Sequence, residues 1–445
     1  MRRALLGIVA ALAVLAAVAS ADPPGVYAIR GARIVTVAAS TIEQGTVVIR
    51  GGTIEAVGAG ATLPADAVIV EGAGLTVYPG LIDLGAAGAT EAAAAQPLRN
   101  ARTTAQVERW KRQQLFRPQV QAADFVKVDD ADLTRFAAGG ITSVLAVPPG
   151  EVIPGYSALV NVATPPESAP VGGIAASRRS LAVVKAPVAL HVSFPTRPIV
   201  GTNAYPVSLM GVIAFVRQAF LDAQHYAAQI GERRPGVEDA VLAAMQPAIQ
   251  RRVPVAFEAN QSRQILRALR FAREMDLDPI VTGAREAGAV AEDLKAAGAR
   301  VIVGLNFPQR SPALAPDDDE PLRDLEARAD APGTAAELAR AGVRFGFASA
   351  GLSDAREFVR NAAKAVAHQL PPEAAVRALT LDAAAIAGAA DRLGSIEKGK
   401  AANLIVTDGD LFDERTKIVR VFVAGVPVAT GERATATSAQ RSSDR

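Results

Sequence analysis

The stretch Tyr78-Pro79-Gly80-Leu81-Ile82-Asp83-Leu84-Gly85-Ala86-Ala87-Gly88 marks the point where the sequence changes its pattern. Before it, residues 26–78 form short β-rich segments separated by glycine-rich turns, and the same pattern returns over residues 402–430. The last two of these segments, joined by Ala424-Gly425, predict a hairpin. Two β-rich ends around a different middle predict one small β domain built from both termini.

The middle of the chain alternates apolar runs of strand length with amphipathic stretches. The runs are Leu81–Leu84, Ile141–Val147, Val188–Phe194, Val253–Phe257, Pro279–Thr282, Val301–Leu305 and Phe345–Ala348. The clearest amphipathic stretch is Asp354–Leu370, with Ser353 as the expected N-cap. Such alternation predicts parallel strands, and an eighth strand is expected in or near Ser157–Val162. The predicted fold is α/β: a distorted TIM (β/α)8 barrel with a small β-sandwich domain from both termini.

Composition narrows the classes of function. The chain has 445 residues, of which 50% are apolar and 21% are charged, so it is globular. Its 47 basic and 45 acidic side chains nearly balance, which gives no reason to expect a nucleic-acid partner. Cysteine is absent, which excludes disulfides, thiolate nucleophiles and cysteine metal sites. Only three histidines are present: His191, His225 and His368.

The N-terminal segment has the pattern of a secretory leader. Arg2 and Arg3 precede an apolar run, and Ala19-Ser20-Ala21 supplies a small-residue cleavage site. We expect cleavage after Ala21 and a periplasmic or secreted protein. A membrane anchor is the alternative, although the run is short for a span. The pattern does not separate general from twin-arginine export. The predicted boundaries are 1–21 for the signal peptide, 22–80 and 391–432 for the β domain, 81–390 for the barrel and 433–445 for a disordered tail.

Two motifs flank the predicted barrel and resemble those of the amidohydrolase superfamily. The first is Pro79-Gly80-Leu81-Ile82-Asp83, which family members follow with His-x-His. The second is Arg392-Leu393-Gly394-Ser395-Ile396-Glu397-Lys398-Gly399-Lys400-Ala401-Ala402-Asn403-Leu404, which looks like the family's return into its small β domain. The resemblance covers residues 27–429 and is greatest to the exported, imidazolonepropionase-like branch. It implies a hydrolase acting on non-peptide C–N bonds with one or two divalent metals.

The resemblance also implies which positions would hold those metals. They fall on Gly85 and Ala87 after the first strand, near His191 in the fourth, on Glu258 or Asn260 in the fifth, on Gly283 in the sixth, and on Ala350 or Ser349 in the eighth. Only His191 and Glu258 could bind an ion at the barrel mouth. A catalytic zinc normally has three protein ligands, so we expect no metal and no other cofactor.

The remaining candidates each have a structural interpretation. Glu258 and His191 are the candidate catalytic residues, but Glu258 could equally form an ion pair with Arg285, and His191 could be a hydrogen-bonded barrel residue. Candidate ligand-binding residues are Asn260, Arg285, Asn306 and Ser349. Asp83 is expected to brace the barrel through hydrogen bonds. A Ser349–His191–Glu258 triad is disfavoured because no nucleophile elbow surrounds Ser349.

Three hypotheses of function follow. The first is a pseudoenzyme, a catalytically degenerate amidohydrolase homologue that binds an unidentified small molecule. The second is a non-catalytic subunit bound to a metal-competent relative, in a homo- or hetero-oligomer. The alternative is a metal-independent hydrolase of amide or cyclic amide C–N bonds that uses Glu258 and His191. The fold alone does not choose among them.

Overall fold

The computed structural model describes residues 25–86, 89–90, 103–127, 135–163, 182–195, 204–231, 238–312, 314–315 and 318–428. The predicted leader, the predicted disordered tail and Ala87 lie outside these residues. None of the helices in the described part is long and apolar enough to cross a membrane.

Strands dominate both ends and alternate with helices between them. The strands are β1 (Val26–Ile34), β2 (Ile42–Arg50), β3 (Thr53–Gly58), β4 (Val68–Glu71), β5 (Thr76–Pro79), β6 (Leu81–Asp83), β7 (Ile141–Ala146), β8 (Gly155–Tyr156), β9 (Ala158–Asn161), β10 (Val183–Lys185), β11 (Leu190–Ser193), β12 (Val255–Ala259), β13 (Pro279–Gly283), β14 (Arg300–Gly304), β15 (Phe345–Ala348), β16 (Leu404–Thr407), β17 (Ile418–Val423) and β18 (Val426–Val428).

The α-helices follow the same chain order. They are α1 (Thr104–Leu115), α2 (Leu209–Gly231), α3 (Ala240–Ala244), α4 (Gln246–Ile249), α5 (Ser262–Glu274), α6 (Ala291–Ala296), α7 (Leu322–Asp330), α8 (Thr334–Ala341), α9 (Arg356–Ala367), α10 (Pro372–Leu379) and α11 (Leu381–Ile386). The predicted amphipathic stretch is α9, but its N-cap is Ala355 instead of Ser353. The Asp354 side chain accepts the Arg356 N–H at 2.9 Å, which satisfies one free donor of the first turn.

One sheet contains strands from both ends of the chain. Its order is β18-β17-β16-β5-β1-β2-β3, and β4 also pairs with β1. The C-terminal strand β16 lies antiparallel to β5 and joins the two ends. The predicted hairpin forms between β17 and β18, with positive φ at both Ala424 and Gly425. A β-sandwich consists of two separate stacked sheets. Here hydrogen bonds link all eight strands into a single sheet, because β1 pairs with three neighbouring strands.

All seven predicted barrel strands are present, in two separate sheets. One has the order β15-β14-β13-β12-β11-β8 and the other β10-β9-β7-β6. The expected eighth strand exists as β8 and β9, but it runs antiparallel to both β7 and β11. The connection Val147–Pro154 is too short for the helical crossover that a parallel strand needs. The strand ladder therefore does not close into a continuous barrel.

Isolated backbone hydrogen bonds bridge the two seams between these sheets. At one seam the Leu84 N–H donates to the Phe347 carbonyl at 2.9 Å. At the other, the Ser157 N–H donates to the Ala189 carbonyl at 3.0 Å. The sheets thus enclose a common interior even though their ladders are interrupted.

The interior of the two sheets has an apolar floor. It is formed mainly by Ile82, Leu84, Leu145, Leu159, Ala256, Ile280, Ile302 and Ala348, which are all buried. Side chains alternate along a strand, so the residue two positions later lies on the same face, nearer the strand's carboxyl end. This register carries Glu258, Thr282, Gly304 and Ala350 to a second layer above the floor.

Candidate functional site

A cavity of about 360 Å³ lies above the apolar floor, at the carboxyl ends of the parallel strands. Five of the residues that the sequence singled out line it: Glu258, His191, Asn260, Arg285 and Asn306. They come from β11, β12 and the turns after β12, β13 and β14. Parallel strands place their carboxyl ends at one edge, which is why residues far apart in sequence converge here.

Glu258 lies in β12 and is exposed to the cavity. Arg285 follows β13 after a turn with positive φ at Gly283 and Ala284, and this turn is held by the Ala284 N–H donating to the Ala259 carbonyl. An ion pair between the two side chains was one of the interpretations that the sequence left open. Across the described residues, however, no ion pair joins Glu258 to Arg285, and neither charged group has a hydrogen-bond partner there.

His191 lies in β11, opposite Ala256 of β12. Its Nε2 atom is buried and has no hydrogen-bond partner in the part of the chain that the structure describes. Burial disfavours the imidazolium and lowers the pKa of His191 to about 4. At neutral pH, His191 is therefore an uncharged imidazole at the cavity wall.

Asn260 fills the space that a side chain at position 283 would need. A Cβ built on Gly283 lies 2.5 Å from the Asn260 Oδ1, and Gly283 has a φ of +83°. Asn306, after β14, donates from Nδ2 to the Ala350 carbonyl at 3.2 Å. The two asparagines therefore surround two positions where the family resemblance would place metal ligands, Gly283 and Ala350.

Asp83 joins the first and last parallel strands next to the cavity-lining residue Gly85. Its Oδ1 accepts the Ser349 N–H at 2.8 Å and the Gly85 N–H at 3.0 Å, which is the bracing expected from the sequence. Its Oδ2 is buried and has no partner among the described residues. Burial raises the pKa of Asp83.

Ser349 does not line the cavity, unlike the other candidate ligand-binding residues. It is only 4% exposed, and its hydroxyl donates to the Gly85 carbonyl at 3.4 Å. Between the described residues there is no hydrogen bond from Ser349 to His191. The Ser349–His191–Glu258 triad is therefore not assembled.

Sequence reasoning missed the rim formed by the loop after β7. Glu151 in this loop lines the cavity and adds a second carboxylate. Ser193 of β11 anchors the loop, because its N–H donates to the Val152 carbonyl at 2.9 Å and its hydroxyl donates to the Glu151 carbonyl. The position of Glu151 shortly after a predicted strand was the available signal.

The donor side chains present do not fit the metal centre that the family resemblance implies. Among the described residues, no three His, Cys, Asp or Glu side chains gather closely enough to hold an ion. His225 is exposed on α2 and bonds Gln229, and His368 caps α9, where it bonds the Lys364 carbonyl. Both histidines thus lie on helices, as expected. Glu258, His191 and Glu151 line the cavity, but among the described residues they do not gather closely enough to form the usual set of three ligands.

Fold and site together define an α/β protein of the barrel-containing type, with a composite β domain and a cavity at the strand ends. Residues 322–430 match the amidohydrolase family. This match spans the last parallel strand and the return into the composite sheet, so it includes the second sequence motif. No curated protein sequence matches the chain significantly.

Solved structures extend the likeness over almost the whole chain. An amidohydrolase from Thermotoga maritima MSB8 superposes with a TM-score of 0.71 at 23% identity, covering 91% of this chain and 99% of that one. A prolidase complexed with N-methylphosphonate-L-proline gives 0.53 at 18% identity, with the same coverage. A Xaa-Pro dipeptidase with bound methionine gives 0.51 at 15% identity, covering 90% and 99%. The fold is thus that of amidohydrolases, and the sequence match points to the same superfamily.

Proposed function

We propose that this chain is a catalytically degenerate amidohydrolase homologue that binds a small molecule at the barrel mouth without a metal centre. One observation carries the proposal. The cavity is lined by Gly85, Gly283 and Ala350 where the family resemblance places metal ligands. None of these residues has a side chain that can bind an ion, and Asn260 fills the space beside Gly283.

The lack of protein partners for the charged groups in the cavity favours ligand binding over catalysis. Glu258 and Arg285 lie at the cavity without protein partners in the described chain, and a ligand can supply those partners. Similar folds hold small ligands, as the prolidase and dipeptidase complexes illustrate by their names. The cavity volume of about 360 Å³ suits a ligand of this size class.

Metal-independent hydrolysis of a C–N bond by Glu258 and His191 is the second candidate. Both residues line one cavity, and the neutral imidazole of His191 is free to accept a proton. A general base works best when its pKa lies near the working pH, and a pKa of about 4 makes His191 a weak base at neutral pH. This argument ranks hydrolysis below binding.

Elemental analysis tests the proposal directly. Protein purified from zinc- or manganese-supplemented medium should contain well below one ion per chain. A metal-containing amidohydrolase prepared in parallel is the control for loss of metal during purification. A stoichiometric ion that only strong chelators remove would reject the proposal.

Export and partnership are parts of the proposal that need separate experiments. N-terminal sequencing of exported protein should find a chain beginning at Asp22. An intact Met1 in a membrane fraction would instead identify the segment as an anchor. Size measurement with and without a co-expressed metal-competent relative tests the non-catalytic-subunit hypothesis, because only that hypothesis expects a mixed complex.

A further inference from the structure

We propose that the ligand is a zwitterion whose ammonium group lies at Glu258 and whose carboxylate lies at Arg285. The inference rests on the proposed binding function and names the chemical class of its ligand. It starts from the register of two neighbouring strands. Glu258 of β12 is paired with Thr282 of β13, and Arg285 follows β13 by two residues.

Two opposite charges on adjacent strand ends would ordinarily be expected to pair. Here they do not, since no ion pair joins Glu258 and Arg285 in the described chain. Both side chains line the same cavity, so one ligand can contact both. A guanidinium binds a carboxylate through two parallel hydrogen bonds, and a carboxylate binds an ammonium through charge-assisted ones.

The remaining charges of the lining favour a ligand that carries both groups. Glu151 supplies a second carboxylate, which also interacts electrostatically with the Lys111 ammonium, whereas Arg285 is the one cationic residue of the described lining. An anion without an ammonium group would leave Glu258 without a partner. A cation without a carboxylate would leave the guanidinium unpartnered.

Other side chains of the lining are neutral. The His191 imidazole is uncharged, its Nε2 has no partner in the described chain, and Asn260 adds an amide. The floor beneath is apolar, with Leu84, Ile302 and Ala348 reaching the cavity. This surface suits a short uncharged spacer between the ammonium and carboxylate groups of the ligand.

The test measures by calorimetry how ω-amino acids of increasing length, from 3-aminopropanoate to 6-aminohexanoate, bind to the full wild-type chain. Two comparison ligands, a carboxylate and an alkylamine, have the same carbon chain as the ω-amino acid that binds best, but each carries only one charge. We expect the zwitterion to bind about tenfold or more tightly than either, because each analogue lacks one set of charge-assisted hydrogen bonds.

Two variants then assign each charge to its residue. Glu258→Gln should abolish the advantage of the zwitterion over the carboxylate and keep its advantage over the amine. Arg285→Met should do the reverse. Glu292→Gln and Arg340→Met, both exposed on helices outside the cavity lining, are matched controls and should change neither ratio.

Three results would overturn the inference. No ω-amino acid binds, the singly charged analogues bind equally well, or the variants leave the affinity ratios of zwitterion to carboxylate and of zwitterion to amine unchanged. These failures are distinct from failure of the proposed function. A metal-free chain that ignores all zwitterions rejects the ligand class alone. A stoichiometric metal ion rejects the metal-free proposal, whether or not the ω-amino acids bind.

Discussion

The Asp83 carboxylate accepts the backbone N–H of Ser349 at 2.8 Å, across a gap of 266 residues in the sequence. This bond joins the first and last parallel strands at a seam where the strand ladder is interrupted. The same oxygen accepts the Gly85 N–H, so one atom links the ends of both strands beside the lining residues Gly85 and Ala350. This side chain therefore helps to position the strand ends at the cavity.

Replacement of Asp83 should separate its acceptor role from its charge. Asp83→Ala should lower the free energy of unfolding by about 2–4 kcal/mol, because two backbone donors lose their acceptor. Asp83→Asn keeps that acceptor and removes a charge that burial disfavours, so we expect a change within about 1 kcal/mol. Chemical denaturation measures both variants. Equal losses in the two would show that the charge, and not the acceptor, matters.

His191 should make stability depend on pH in a defined direction. Its pKa is lowered to about 4 in the folded state, so the unfolded chain binds the proton more readily between pH 6.5 and 4. Stability should therefore fall as pH decreases through this window, by about 3 kcal/mol at 1.36 kcal/mol per pKa unit.

His191→Gln should flatten that part of the pH profile of unfolding. His225→Gln is the matched control, because His225 is exposed on α2 and its loss should leave the slope intact. A His191→Gln profile as steep as that of the wild type would contradict the prediction.

Glu258 and Arg285 should contribute almost nothing to stability, since no ion pair joins them. Glu258→Gln, Arg285→Met and the double variant should each unfold within about 0.5 kcal/mol of the wild type, with no coupling energy. The positive control is Glu320, whose side chain is 7% exposed and lies 2.5 Å from Arg328. A cycle on Glu320 and Arg328 should show clear coupling. A measurable coupling energy between Glu258 and Arg285 would contradict this prediction and support a structural ion pair.

Gly283 should resist substitution for two separable reasons. Gly283→Ala places a Cβ at a φ of +83° and 2.5 Å from the Asn260 Oδ1. Gly351→Ala shares the conformational cost, at a φ of +90°, but meets no atom within 4 Å. We expect a loss of about 1–2 kcal/mol for Gly351→Ala and at least about 1 kcal/mol more for Gly283→Ala.

Adding Asn260→Ala to Gly283→Ala tests the second reason. The truncated side chain no longer meets the new Cβ, so the extra loss should be recovered and the conformational part should remain. Thermal unfolding of the set measures this. If the double variant is no more stable than Gly283→Ala, the position of Asn260 is not what limits the site.

Local sequence patterns were enough to predict most of the strands along the chain. Apolar runs such as Pro279–Thr282 and Val301–Leu305 predicted strands because local periodicity and length are enough to define them. The same logic placed Glu258, Arg285 and Asn306 at one edge, because parallel strands end together. This reasoning did not predict that β8 and β9 run antiparallel to their neighbours, since strand direction depends on the length of the connection and on the pairing, not on composition.

How the site residues meet depends on tertiary packing, which local patterns do not contain. Complementary charges on Glu258 and Arg285 predicted a pair, but their distance depends on the turn at Gly283 and Ala284 and on side-chain direction. Ser349 looked like a ligand-binding residue, yet its N–H is held by Asp83, which is distant in the sequence, and its hydroxyl contacts Gly85. Periodicity gives the face of a strand on which a residue lies. The contacts across that face are non-local, and they form only when the whole chain packs.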